Sequence, residues 1–204
     1  MNMIAIIDYG MGNLHSVRKA FERMGAETII SNHPNELKKV EKIVLPGVGS
    51  FGDAVQALRK YGLEEVIYQH IQEKKPFLGI CLGMHILLEA SQESEAVAGL
   101  GIIPGVVKKF EASSHLKVPH IGWNQINFRR LNCPLFKGVD DASSVYFCHS
   151  YFAQPKDNMV IAATTDYGIE FCSILWKDNI FATQFHPEKS QQVGLKIIEN
   201  FVTL

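Results

Sequence analysis

Three residues of this 204-residue chain have the types and settings that covalent chemistry needs: Cys81, His186 and Glu188. Cys81 stands in Phe77-Leu-Gly-Ile-Cys-Leu-Gly-Met-His85, an apolar run broken by the frame Gly-x-Cys-x-Gly. That frame is the thiol counterpart of the nucleophile elbow, a strained strand-to-helix turn that lifts one side chain clear of a sheet. Glycines two before and two after suit such a turn, because a Cβ there would collide with the crossing chain. A helix read from Leu82 to about Ala90 points its free N–H groups at the sulfur and favours a thiolate. The competing reading of Cys81 is a small apolar residue closing a strand.

A thiol nucleophile works best with an imidazole to take its proton and a third group to orient that imidazole. His186 lies in Gln-Phe-His-Pro-Glu188, just past a strand-like run. In an extended segment residues i and i+2 point the same way, so Glu188 can reach the ring and fix its tautomer. Pro187 stiffens the pair. The competing reading is a strand-end histidine with an unrelated glutamate. His85 follows Cys81 by one helical turn on the same face, but it has no adjacent carboxylate and reads as a pocket residue. Of the other six histidines, His15, His33, His70 and His115 fall in segments that read as solvated helix or loop. His120 and His149 lie beside strands, where they could be satisfied core residues. In Pro46-Gly-Val-Gly49, Gly47 and Gly49 leave N–H groups free at a strand's carboxyl end, where a negative oxygen could be held. The same loop formally matches G-x-G-x-x-G. A dinucleotide site would need a second strand ending in an acidic residue further on, and residues 62–71 have helical periodicity instead.

These side chains need a scaffold, and the chain supplies one. Ile4–Ile7 is a continuous apolar run of the kind that a parallel strand covered on both faces requires. Asn13 then caps a helix with Leu14, Val17, Phe21 and Met24 on one face, stopped at Gly25. Short strands follow at 27–31, 42–45 and 77–81, so the first 95 residues alternate strand and helix. That alternation implies a three-layer α/β fold around a doubly wound, mostly parallel sheet, with ligands bound beyond the carboxyl ends of its strands. From Gly99 the runs become short, β-branched and aromatic: 102–110, 120–128, 145–152, 160–165 and 171–176. They read as antiparallel hairpins. A last strand at 180–185 leads to His186, and a closing helix at 191–202 turns Ile197, Ile198, Phe201 and Val202 inward. No linker or repeat divides the chain, so residues 1–204 read as one domain.

Composition narrows the field further. Hydrophobic residues make up 47% and charged ones 20%, and 20 basic side chains balance 21 acidic ones to a net charge of −1. Nothing there argues for nucleic acid or an anionic membrane. Asp8 interrupts the N-terminal apolar run too early for a signal peptide or a span. Four cysteines, at 81, 133, 148 and 172, form no C-x-x-C pair. That pattern fits free thiols in a reducing cytoplasm and argues against zinc.

Taken together, the elbow cysteine and His-Pro-Glu resemble the class I (triad) glutamine amidotransferases. Within them, six segments are similar to the glutaminase subunits of imidazole glycerol phosphate synthase. They are Asp8-Tyr-Gly-Met-Gly-Asn13, Leu45-Pro-Gly-Val-Gly-Ser-Phe51, Gly79-Ile-Cys-Leu-Gly-Met84, Pro119-His-Ile-Gly-Trp-Asn124, Tyr146-Phe-Cys-His-Ser-Tyr151 and Gln184-Phe-His-Pro-Glu-Lys-Ser190. The resemblance implies that Cys81 attacks the side-chain amide of glutamine while His186, oriented by Glu188, handles the protons. It implies an oxyanion site from the N–H of Leu82 and one from Gly47, Val48 or Gly49, where losing a donor typically costs about 2.7–4 kcal/mol of barrier. His149, Ser150 and Tyr151 match the family's glutamine-binding segment. The family usually carries glutamine at the position of His85, where that residue contacts substrate; histidine donates one hydrogen bond without amide geometry.

The implied partner is a (β/α)8-barrel cyclase in a heterodimer, taking the ammonia through a protected path, with Trp123, Asn124 and Lys189 on the docking face. No metal or cofactor is implied. Alternatives from other classes are an ammonia-supplying subunit for amidino-sugar synthesis, a non-catalytic regulatory subunit of the same fold, and a thiol hydrolase acting on esters or peptides.

Overall fold

A computed structural model describes residues 3–112 and 116–204; His115 lies outside the described residues. The chain runs β1 (Met3–Ile7), α1 (Leu14–Arg23), β2 (Glu27–Ser31), α2 (Pro34–Leu37), β3 (Lys42–Gly47), α3 (Phe51–Lys60), α4 (Leu63–Gln72), β4 (Phe77–Cys81) and α5 (Leu82–Ile86). It continues through β5 (Leu88–Ser91), β6 (Ile103–Lys109), β7 (His120–Gln125), β8 (Asn127–Phe128), β9 (Ser144–His149), β10 (Tyr151–Pro155), β11 (Ile161–Asp166), β12 (Glu170–Lys177), β13 (Ile180–Thr183) and α6 (Gln191–Val202). Eight strands form one sheet in the order β2-β1-β3-β4-β13-β12-β11-β8. The pairs from β2 to β13 are parallel and the rest antiparallel, as the change of pattern after residue 95 leads one to expect.

Alternation along the central strands sorts the core into two layers. Ala5, Ile7, Ile43, Leu45 and Phe77 pack with Leu58, Leu63, Val66 and Ile67 of α3 and α4. Ile4, Ile6, Val44, Leu78 and Ile80 face the other way, onto Val17 and Phe21 of α1 and Ile197, Ile198 and Phe201 of α6. Phe21 and Phe201 meet edge to face, with ring centroids 6.2 Å apart, and join the two helices. Asn13 caps α1 by accepting from the Ser16 N–H at 3.3 Å. Val202 is only half-buried, unlike its three neighbours in α6.

Three expectations need correction. The helix after Cys81 ends at Ile86, and residues 88–91 are strand β5, paired in parallel with β6. Backbone bonds from Leu100 to Ile86 and from Gly99 to Glu89 draw the chain out of the helix, so tertiary pairing overrides a helix-favouring Leu-Leu-Glu-Ala. Two runs that read as single strands each divide between sheets. The run 120–128 breaks at Ile126 into β7, which pairs with β9, and β8, which joins the large sheet; 145–152 breaks at Ser150 into β9 and β10. Finally, His70 is buried rather than solvated, its Nε2 3.1 Å from the Pro76 carbonyl, and burial pushes its imidazole down to about 4.

Cys81 sits where β4 meets α5, with φ 54° and ψ −106°. The two flanking glycines are fixed by contact. A Cβ on Gly79 would lie 2.7 Å from the Gly83 carbonyl oxygen, and one on Gly83 would run into the Leu45 carbonyl oxygen of β3. Gly83→Ala is therefore expected to cost about 1–3 kcal/mol or more, read as a lower Tm in thermal unfolding. An unchanged Tm would show that the corner can relax.

Candidate active site

Register places the ends of β3 and β4 side by side, with Gly47 opposite Cys81. A cavity of about 320 Å³ opens there, and Cys81 and His186 both line it. Val48, Gly49, Leu82, His85, His149, Ser150, Tyr151 and Lys189 line it too, so residues far apart in the chain converge on the sulfur. Gly47 belongs to the wall behind: a Cβ there would meet the Tyr9 hydroxyl and come within 2.9 Å of Leu82 Cβ. Gly49 has φ +103°, a backbone state that suits glycine and leaves the loop's amides free to turn.

His186 shares the cavity wall with Cys81 and hydrogen-bonds Glu188 on its other side. Its Nδ1–H donates to Glu188 Oε1 at 2.9 Å, which leaves Nε2 for the sulfur. Burial works against a charged ring here. The bonds and charges of Cys81 and Glu188 outweigh it and hold the imidazolium up to about 10. The backbone is held as well, since His186 N donates to the Tyr146 carbonyl at 3.0 Å. Ser190 Oγ donates to the His186 carbonyl at 2.7 Å and accepts from Tyr146 N at 2.9 Å. The second Glu188 oxygen is buried without a hydrogen-bond partner among the described residues, beside a narrow space lined by Gly12 and Asn13. That space is where the Asp8–Asn13 turn touches the site.

Three further imidazoles surround this pair, and burial drives all of them toward neutrality. His85 and His120 are pushed down to about 4 and His149 to about 3. His149 Nδ1 meets the Tyr151 carbonyl at 2.8 Å and its Nε2 meets His120 Nδ1 at 3.0 Å. An N–H on each Nδ1 satisfies both contacts. His120 is stacked between Phe147 and Tyr167, so the ring that supports His149 is itself clamped.

Among the residues expected on a docking face, Trp123 is 49% exposed and meets Tyr146 edge to face at 6.1 Å. Lys189 stands over the same Tyr146 ring at 6.0 Å and also borders the cavity. Asn124 faces the other way along β7, and its amide donates to the Asp166 carbonyl at 2.8 Å. Exposed Val48 and Ile121 accompany Trp123. The sequence reading missed Glu93, Pro119 and Cys148 in the cavity wall, and it missed Tyr9 and Gln184 beside the sulfur. The Tyr9 hydroxyl donates to the Pro46 carbonyl at 2.9 Å; burial, then the charge on Cys81, raises its pKa and keeps the phenol neutral. Its place in Asp8-Tyr-Gly10 was the available signal.

An imidazolium beside a thiol and bonded to a carboxylate, on the wall of a cavity also lined by Val48, Gly49 and Leu82, can run acyl transfer through a covalent thioester. Removing the carboxylate should release the proton earlier. The histidine NMR titration of Glu188→Gln is expected to show the His186 midpoint about 1–3 pH units below that of the native chain. An unchanged midpoint would mean that Glu188 does not support the charge.

A family model described as glutamine amidotransferase class-I matches residues 5–204. The chain is 53% identical to the imidazole glycerol phosphate synthase subunit HisH of Geobacter sulfurreducens, with 98% of each chain covered. It is 51% identical to the HisH subunit of Methanocaldococcus jannaschii, covering 99% of this chain and 100% of the relative. Among solved structures, PurLQS from Thermotoga maritima aligns with a TM-score of 0.78 at 18% identity, over 98% of this chain and 97% of that one. The glutaminase domain of Trypanosoma brucei CTPS, with bound acivicin, aligns at 0.65 and 16% identity, over 100% and 92%. These two structures share the fold.

Proposed function

The chain belongs to the class-I glutamine amidotransferases, among the HisH subunits of imidazole glycerol phosphate synthase, and from that membership we propose how it works: it hydrolyses the side-chain amide of glutamine and hands the ammonia to a cyclase subunit. The observation that carries this reading is the His186 ring bonded to Glu188 and lining one cavity with Cys81. The Cys81 thiolate attacks the amide carbon, and the oxygen takes up the negative charge. The N–H of Leu82 and one from the Gly47–Gly49 loop receive that charge. As the tetrahedral state collapses, His186 gives its proton to the departing nitrogen, and ammonia leaves a glutamyl thioester on Cys81. The imidazole, now neutral, takes a proton from water; the resulting hydroxide displaces the sulfur, and glutamate leaves. Glu188 orients the ring through both halves.

His149, Ser150 and Tyr151 form the wall against which the amino-acid end of glutamine is held, and His85 lies one helical turn past the nucleophile. Ammonia that escaped into neutral water would become ammonium and lose its nucleophilicity, so the acceptor must cover the cavity. That acceptor is a (β/α)8-barrel cyclase in a heterodimer, docked over Trp123 and Lys189; Asn124, turned away from them, is left off that face. The assembled synthase acts as a lyase yielding imidazole glycerol phosphate and AICAR in histidine biosynthesis. The chain acts as one domain, 1–204, in the cytoplasm. HisH relatives at about half identity do not favour an amidino-sugar pathway.

Ammonia release from glutamine by the assembled complex should fall at least about a thousand-fold in Cys81→Ala. Activity surviving that change would remove Cys81 from the chemistry.

A further inference from the structure

Gln184 ends the run Phe-Ala-Thr-Gln that carries β13 toward His186, and it is completely buried. Its backbone N–H donates to the Ser173 carbonyl at 2.9 Å, so the residue is anchored from β12. Both ends of its side-chain amide are used. Oε1 lies 2.7 Å from His85 Nε2, and Nε2 donates toward Cys81 Sγ at 3.9 Å. We propose that the Gln184 amide is a further catalytic group, a hydrogen-bond donor to the Cys81 thiolate, and that His85 is the positioning residue that locks its orientation. The proposal rests on Cys81 being the nucleophile.

The orientation of the amide and the tautomer of His85 go together. An amide is nearly symmetric in shape, and only its partners decide which end carries oxygen. A neutral imidazole has one N–H. Burial keeps His85 neutral, and in the tautomer that the proposal assigns, with the N–H on Nε2, the ring donates to the Gln184 oxygen 2.7 Å away. The amide NH2 then has to face the sulfur. A buried thiolate has little water to solvate it, and a donor aimed at it is worth more than in solution. His85, whose own Nδ1 is left an acceptor, thereby acts on the sulfur without touching it.

Position 85 thus has a role of its own. A glutamine there, the type that the resemblance leads one to expect, carries both a donor and an acceptor and would allow either orientation of the Gln184 amide. A histidine in the proposed tautomer holds the one that turns the NH2 to the sulfur. The other groups around the thiolate are Tyr9 from the β1–α1 loop and His186 from the β13–α6 turn, with His149 of β9 next to both His85 and His186. Tyr9 spends its hydroxyl hydrogen on the Pro46 carbonyl, and His186 is the proton carrier. Gln184 is then the uncharged side-chain donor directed at the sulfur.

The test uses the full-length chain and two electrophiles. Labelling of Cys81 by a glutamine-analogue electrophile in the native chain establishes the nucleophile independently of the second probe. Alkylation of Cys81 by iodoacetamide is then measured against pH. In Gln184→Met, of similar volume, the pH midpoint of alkylation should move up by about one unit. The kcat of the assembled complex for glutamine should fall about ten-fold, with KM changing by less than about two-fold. His85→Phe should move the midpoint the same way by a smaller amount, and the double variant should match Gln184→Met alone. If Gln184→Met does not fold, Gln184→Leu carries the same expectations. A midpoint that stays in place in the Gln184 variant would overturn the proposal. So would a double variant whose effects add, or a loss confined to KM.

Discussion

At the corner between β4 and α5 the backbone of Cys81 takes a positive φ that a side-chain-bearing residue rarely adopts, and such a state typically costs about 1–3 kcal/mol. It persists because the surroundings leave the chain no other course. β4 is flanked in parallel by β3 and β13, both buried, and neither glycine beside the corner has room for a Cβ. The strain lifts the sulfur out of the sheet at the one edge where the carboxyl ends of β3, β4 and β13 meet. The Gly47–Gly49 loop follows β3, and His186 follows β13, so the same edge assembles the groups to which the proposed mechanism gives the roles of donors, nucleophile and base. Parallel order in the sheet is what brings together residues 47, 81 and 186.

Electrostatics then divide one residue type between two tasks. His85, His120, His149 and His186 are all buried, and burial alone favours a neutral ring in each. Only His186 has a carboxylate at its Nδ1, together with the thiol on its other side, and only it is driven upward. The neutral rings provide fixed donors and acceptors, because burial keeps them from changing charge near neutral pH. One mobile proton among fixed neighbours suits a reaction that must deliver that proton to a leaving nitrogen and take one back from water.

The local signals were legible in the amino-acid order: the glycines around Cys81, the carboxylate two residues after His186, the unbroken apolar strands and the cap at Asn13. Each shows as a pattern within a few residues of the chain. What escaped depends on pairing across long separations. Nothing local marks Ile126 or Ser150 as places where a β-rich run passes from one sheet to another. The helix propensity of Leu87–Ala90 gives no hint that residues 99–107 will pull that segment into a strand. His70 looks solvated in order, because the Pro76 carbonyl that it meets belongs to the turn leading into β4. Gln184 was invisible for a similar reason: its two partners lie about a hundred residues away, at Cys81 and His85.

On the proposed route, glutamine becomes a thioester on Cys81 before water releases glutamate. Acid quenching of the assembled complex during turnover, followed by mass spectrometry of its peptides, observes that species directly. A glutamyl adduct is expected on the peptide containing Cys81 and is expected to be absent in Cys81→Ala. Turnover of glutamine with no adduct at Cys81, or with the adduct on another residue, would contradict it.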